Sequence, residues 1–286
     1  MLTRRQVLAG MGGLVALGVA GIAIEHADDP RVRRGLRRLG LAHSPDGHVP
    51  VSNSEEASGA LTSTNMPHPV AWTVSTPSVP VRGVIYCLHS YGRDHRMAFD
   101  DIHVQDVVAA ANAPLAVAAV DGGDTAYWHE RADGRNPLAM LLDEFIPMVE
   151  ERVGSGLRRA LLGWSMGGYG ALLAAERAPE RFDVVAAASA ALWTTPSDVP
   201  DPAFDDAADY RRNDVFAGID QLADVTVRID CGTDDPFLEA DTTFAARLPR
   251  PNPGRFSSGF HDEAYWRSIA PAQVATIARV IRERAS

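Results

Sequence analysis

The chain has 286 residues, 46% hydrophobic and 22% charged, so it can bury one sizeable core, and a single large α/β domain fits as well as two small ones. Its formal net charge of −10 argues against nucleic acid as a partner, because the phosphate backbone would be repelled. The charge is unevenly placed: residues 1–40 carry +4, all of the positive charge being Arg, and the rest of the chain carries −14.

The chain opens with Arg4 and Arg5, followed by an uncharged apolar run from Val7 to Ile24. A paired Arg before a mild, Gly-rich apolar segment resembles a twin-arginine export signal. Residues 1–30 are therefore expected to be such a signal, with the twin-arginine export machinery as partner, or an N-terminal anchor touching the membrane, since the run approaches the roughly 20 residues that cross a bilayer. Both readings place the protein outside the cytoplasm, secreted or held on the outer face of the membrane. Arg31, Arg33, Arg34, Arg37 and Arg38 come next; the positive-inside tendency would keep that flank in the cytoplasm, and they read instead as discouraging the general secretion route. Residues 31–55 are taken as this basic segment plus a polar linker without periodicity, and residues 56–286 as the folded domain.

Within that domain five apolar runs read as strands: 81–88, 115–120, 159–164, 184–189 and 225–230. They are near-continuous rather than alternating, as parallel strands covered on both faces require. Pieces around 59–63 and 70–75 could add antiparallel edge strands. Leu138, Leu142, Phe145, Val149 and Val153 recur at helical spacing, with Pro147 expected to kink that helix. The alternation predicts a doubly wound, mostly parallel α/β sheet. The Pro-rich, acidic stretch 193–218, after the fourth parallel strand, reads either as a small cap or as a plain surface excursion. Cys87 and Cys231 read as small core hydrophobes.

Ligands of open α/β sheets bind beyond the carboxyl ends of the strands, so the residues there are the candidates. Ser165 follows the third run inside Gly163-Trp164-Ser165-Met166-Gly167; Asp234 and Asp235 follow the fifth, and His261 comes later. A Ser hydroxyl is a weak nucleophile that needs a base, and the base needs a third group to fix its tautomer. Ser, then acid, then His is the chain order of α/β-hydrolases, and glycines beside the serine leave room for the sharp strand-to-helix turn such a nucleophile needs.

The stretches "LLGWSMGGYGAL", "DCGTDDPF", "GFHDEAYWR" and "DGGDTAYWHERADG" resemble the esterase branch of the α/β-hydrolases, which includes S-formylglutathione hydrolase (esterase D) and the mycobacterial mycolyltransferases, and within it the exported actinobacterial members. The resemblance covers roughly residues 56–286. It implies an α/β-hydrolase fold with Ser165 as nucleophile, His261 as base and Asp235, three positions after Gly232, as orienting acid; Asp234 becomes a solvated or loop-capping neighbour. One oxyanion donor is then the N–H of Met166. The other comes from the loop after the first run, where the family usually has His-Gly and this chain has His89-Ser90; Tyr91 is favoured over Ser90.

No metal and no cofactor is expected, because His89, His95, His103 and His129 fit no zinc spacing; His89 reads as a loop-fixing residue, and Asp121 and Asp124 as turn residues. Trp128 and Trp193 are the candidates for a substrate pocket. The implied function is a serine esterase that cleaves a small-molecule or lipid ester through an acyl-enzyme. The alternatives are an acyltransferase to a cell-envelope sugar or lipid, and a non-catalytic membrane-tethered binding protein.

Overall fold

The computed structural model describes residues 29–47, 51–52, 54–200 and 202–285. Strands made of Val, Ile, Leu and Ala without polar alternation gain from burial only if both faces of their sheet are covered. The structure meets that condition. In chain order the strands are β1 (Glu55–Leu61), β2 (Val70–Thr76), β3 (Gly83–Leu88), β4 (Leu115–Val120), β5 (Arg158–Trp164), β6 (Val184–Ala188), β7 (Thr226–Gly232) and β8 (Phe256–Ser257). They form one sheet in the order β1-β2-β4-β3-β5-β6-β7-β8. The pairs β1/β2 and β2/β4 are antiparallel, and every other pair is parallel.

The period of two along a strand divides the side chains between two cores. Val84, Tyr86 and Leu88 of β3 enter one core; Ile85 and Cys87 enter the other. The first core is closed by α3 (Ile146–Val153), α4 (Met166–Arg177) and Phe244 of α6 (Leu238–Arg247). The second is closed by α2 (Val104–Ala110) and the long α7 (Glu263–Arg284). Edge strand β1 is largely exposed and polar, which discourages pairing with another chain, and its Gly59 admits the Trp72 ring, which a Cβ would meet at 2.7 Å.

Several expectations shift. The fifth parallel strand runs on through Cys231 and Gly232, and both cysteines are buried and free. The helical pattern over 138–153 is a chain of pieces: Pro137–Ala139, then wide π turns over Met140–Phe145, then α3. Pro147, lacking an N–H, sits in the first turn of α3, where no intrahelical donor is needed. The stretch read as linker carries α1 (Pro30–Arg38), capped by Asp29 accepting the Arg31 N–H at 2.7 Å, with Pro30 opening the helix. The twin-arginine or anchor reading falls on residues 1–30, of which 1–28 lie outside the described residues. Among the described residues no helix is long and apolar enough to cross a membrane.

Stretch 193–218 carries α5 (Ala207–Arg212) and buries Ala203, Phe204, Tyr210, Val215 and Phe216. Arg131 fastens it, donating to Asp205 at 2.9 Å and to the carbonyls of Pro202 and Ala203 at 2.9 and 3.2 Å. His129, fully buried, bonds Asp209 at 3.1 Å and stacks on Phe204. This is a pinned wall.

Candidate active site

Ser165 stands between β5 and α4 at φ 54° and ψ −117°, a conformation L residues rarely adopt. Three backbone bonds hold it: its N–H donates to Ala188 at 2.9 Å, and its carbonyl accepts from Tyr169 and Ala191 at 3.1 and 3.0 Å. The flanking glycines are needed for close approach. A Cβ on Gly163 would stand 2.0 Å from the Gly167 carbonyl oxygen, and one on Gly167 would stand 1.9 Å from the Leu88 carbonyl oxygen. The elbow therefore closes on itself and presses against the loop that follows β3.

His261 Nε2 lies 2.9 Å from Ser165 Oγ, and His261 Nδ1 lies 2.9 Å from Asp235 Oδ2. An ionised carboxylate only accepts, so Nδ1 carries the proton and Nε2 is left to accept from the serine hydroxyl. Asp235 has a fully buried side chain, and its Oδ1 accepts the Phe237 N–H at 2.9 Å. The imidazole packs between Phe237 and Trp266, whose ring centroids lie 5.3 and 5.2 Å away, and Trp266 is itself fixed by Nε1 donating to Ser189 Oγ at 3.0 Å.

Of the two adjacent acids it is thus Asp235 that meets the histidine. Asp234 is buried rather than solvated, with Oδ2 3.1 Å from the Arg33 guanidinium in an ion pair that lacks hydrogen-bond geometry. Burial pushes its pKa up despite Arg33 and Arg34. Asp241 on α6 is an acid that the sequence reading missed. It is fully buried, and burial, together with the Asp235 charge, raises its pKa well above its ordinary value. Its signal was an Asp four residues after Phe237 and three before Phe244, on the buried face of a helix.

The loop after β3 is braced by His89. Its Nε2 accepts the Gly122 N–H at 3.0 Å, so Nδ1 is the donor to the Ser90 carbonyl at 2.9 Å, and burial lowers its pKa. The Ser90 N–H is taken by Met97 Sδ at 3.4 Å and the Gly92 N–H by the Asp124 carbonyl at 2.7 Å. Between them the Tyr91 N–H has no hydrogen-bond partner among the described residues. The Met166 N–H is the first donor of α4, ahead of that helix's own ladder.

Of the two expected pocket aromatics, one is corrected. Trp128 is fully buried and offers no surface to a substrate: it fills the space over Gly122 and Gly170, where a Cβ would meet its atoms at 2.5 Å, and donates to the His89 carbonyl at 3.3 Å. Trp193 is half-buried and belongs to a row that reaches the histidine. Along Tyr91, Tyr127, Trp193, Phe237 and His261 the successive ring centroids are 6.1, 5.7, 5.7 and 5.3 Å apart. Tyr127 and Trp128 are adjacent, both buried and both at positive φ, 52° and 55°, yet it is Tyr127 that joins this row, which no periodicity announces. The cleft of about 740 Å³ lined by charged side chains such as Arg131, Asp143, Asp205 and Arg212 contains none of Ser165, Asp235 and His261.

Among the described residues Asp94, His95 and Asp121 could together hold a cation. Here they brace a loop: Asp121 Oδ1 accepts from the His95 N–H at 2.7 Å and lies 2.8 Å from its Nδ1, and Asp94 accepts the Arg96 N–H at 2.8 Å.

Sheet, strained elbow and the hydrogen-bonded line of serine, histidine and aspartate define an α/β-hydrolase. More narrowly, the family model described as "Putative esterase" matches residues 83–276, and the chain belongs to that family of carboxylic ester hydrolases. Among solved structures it is similar to a ferulic acid esterase, at 25% identity and a TM-score of 0.69 over 79% of this chain and 98% of that one. It shares its fold with an S-formylglutathione hydrolase from Staphylococcus aureus, at 19% identity and a TM-score of 0.67 over 79% of this chain and 100% of that one. The same holds for MPT51 of Mycobacterium tuberculosis, at 17% identity and a TM-score of 0.63 over 81% of this chain and 100% of that one. No curated protein matches it in sequence.

Proposed function

We propose that the ester is cleaved through an acyl-enzyme on Ser165. His261 Nε2 takes the hydroxyl proton as Ser165 Oγ attacks the ester carbonyl, and then returns it to the leaving alkoxide. Asp235 holds the tautomer and stabilises the imidazolium. The N–H groups of Met166 and Tyr91 receive the oxyanion, each contributing roughly 3 kcal/mol at the transition state. Water, activated by the same imidazole, then releases the acid. The observation that carries the reading is the pair of 2.9 Å contacts on either side of His261.

The His261 side chain is 26% exposed, which leaves water the path to the acyl-enzyme that hydrolysis needs. The row from Tyr91 to Phe237 favours an acyl group that carries an aromatic ring, and the similarity to a ferulic acid esterase points the same way. Turnover of p-nitrophenyl acetate by Ser165→Ala, expected to fall at least about a thousandfold, tests the nucleophile; a variant that keeps most of its activity removes it. Methyl cinnamates should be better substrates than methyl butanoate, and the reverse order refutes the aromatic preference.

The paired Arg4 and Arg5 before an apolar run further support export. Replacing both with Lys should leave the enzyme in the cytoplasmic fraction, and unchanged export would contradict this.

A further inference from the structure

Of the arginines that follow the apolar run, Arg33, Arg34 and Arg37 lie against the loops that carry Asp235 and His261. Both neighbours of His261 are gripped by the segment 30–47. The Phe260 N–H donates to Ser44 Oγ at 2.9 Å, and its ring lies under the guanidinium groups of Arg33 and Arg37, 5.8 and 5.4 Å from its centroid. Asp262 Oδ2 accepts from Arg37 Nε at 2.8 Å, from Arg37 Nη2 and from Ser44 Oγ at 3.0 Å. The neighbour of Asp235 is held as well: the Asp234 carboxylate pairs with Arg33, and its carbonyl accepts from Arg34 at 3.3 Å. The two loops also join each other, the Asp234 N–H donating to the Gly259 carbonyl at 3.0 Å. The far end of the segment is fastened by Asp46 accepting from Arg267 Nε at 2.7 Å.

Asp234 and Asp262 are both buried, and among the described residues the cations paired with them come from α1 alone. A buried carboxylate that loses its partner moves toward water or a new donor. Asp262 stays tied through Oδ1 to the Tyr265 N–H at 2.9 Å, so loss of Arg37 strips only its Oδ2 side, while Asp234 loses its paired cation; either change shifts a residue adjacent to the histidine or to its aspartate. We propose that Arg33 and Arg37 are positioning residues of the esterase reaction, holding the Asp235 and His261 loops in register with Ser165. The inference rests on the Ser165, His261 and Asp235 reading above. Neither arginine bonds any of those three side chains, so their loss should act on the geometry of proton transfer, and hence on kcat, more than on substrate binding.

The test uses the full chain and p-nitrophenyl acetate, comparing Arg33→Gln/Arg37→Gln with Arg33→Lys/Arg37→Lys and with Arg31→Gln/Arg38→Gln. The last pair makes the same charge change on the same helix at side chains with no partner on these loops. The Gln pair at 33 and 37 should lower kcat roughly tenfold or more with KM within about twofold, while the thermal midpoint stays above the assay temperature. The Lys pair should recover most of the loss, and the 31/38 pair should match the wild type. A Gln pair at 33 and 37 with wild-type kcat overturns the proposal. So does a loss that tracks unfolding at the assay temperature, a loss the Lys pair does not relieve, or an equal loss in the 31/38 pair. Ser44→Ala removes the hydroxyl bridging Phe260 and Asp262 without changing charge, and should lower kcat in the same direction; unchanged kcat there also counts against the proposal. Ser165→Ala is run alongside: if it stays active the nucleophile reading fails, whereas an inactive Ser165→Ala beside a fully active 33/37 Gln pair overturns the positioning role alone.

Discussion

At the residue scale the site is set by a few atoms with no room to move. The Leu88 carbonyl that a Cβ on Gly167 would meet at 1.9 Å is backbone at the end of a buried strand and cannot swing aside. Gly167→Ala should therefore cost about 1–3 kcal/mol in a urea titration, and should lower esterase activity in whatever remains folded, because the overlap displaces the loop that carries Tyr91. Asp235→Asn keeps the shape but presents an amide where a carboxylate fixed the imidazole tautomer. A fall in kcat of about 10⁴-fold with an unchanged thermal midpoint is the expected result, and a mild loss would mean that Asp234 can take over. That Ser165, His261 and Asp235 would meet was readable in the sequence because a hydroxyl, an imidazole and a carboxylate stand in hydrolase order at strand ends, whereas the burial of Asp234 was not. Trp128 was misread because an aromatic beyond a strand end can face the substrate or the core, and the positive φ values that decide its direction leave no trace in composition.

At the scale of elements, the continuous apolar runs announced parallel strands buried on both sides, and they appear within two residues of their expected limits. What the runs could not announce is α1: nine residues with five arginines and no buried side chain look like a solvated linker until their partners, Asp234 and Asp262, arrive from more than 190 residues away. The wall over 193–218 was likewise open, because Arg131 and His129, which pin it, come from a different loop. Arg131→Gln should release the Phe204 side of that wall and loosen the aromatic row beside the site. KM for an aromatic ester should rise several-fold with little change in kcat, and an unchanged KM would show that the wall does not touch the substrate.

At the scale of the whole molecule, the fold carries buried acids that its acidic sequence must keep neutral. Glu176 is buried with Oε1 unpaired, and burial pushes its pKa up to about 9, only partly opposed by Arg177. In the unfolded chain such a group ionises near its ordinary value of 4.5. A folded-state pKa raised above the unfolded one stabilises most below pH 4.5, and that contribution is lost as pH rises toward 9. The thermal midpoint of Glu176→Gln should therefore exceed that of the wild type at pH 8 and lose this advantage at pH 4.5. A constant difference across that range would place the carboxyl in water.

If His261 makes Ser165 nucleophilic, covalent capture of the serine depends on the imidazole. A fluorophosphonate probe incubated with the folded enzyme, followed by digestion and mass spectrometry, should give one adduct on the peptide carrying Ser165, and His261→Gln should slow its formation at least about a hundredfold. Labelling at another residue, or labelling of Ser165 at the same rate without the imidazole, would contradict the account.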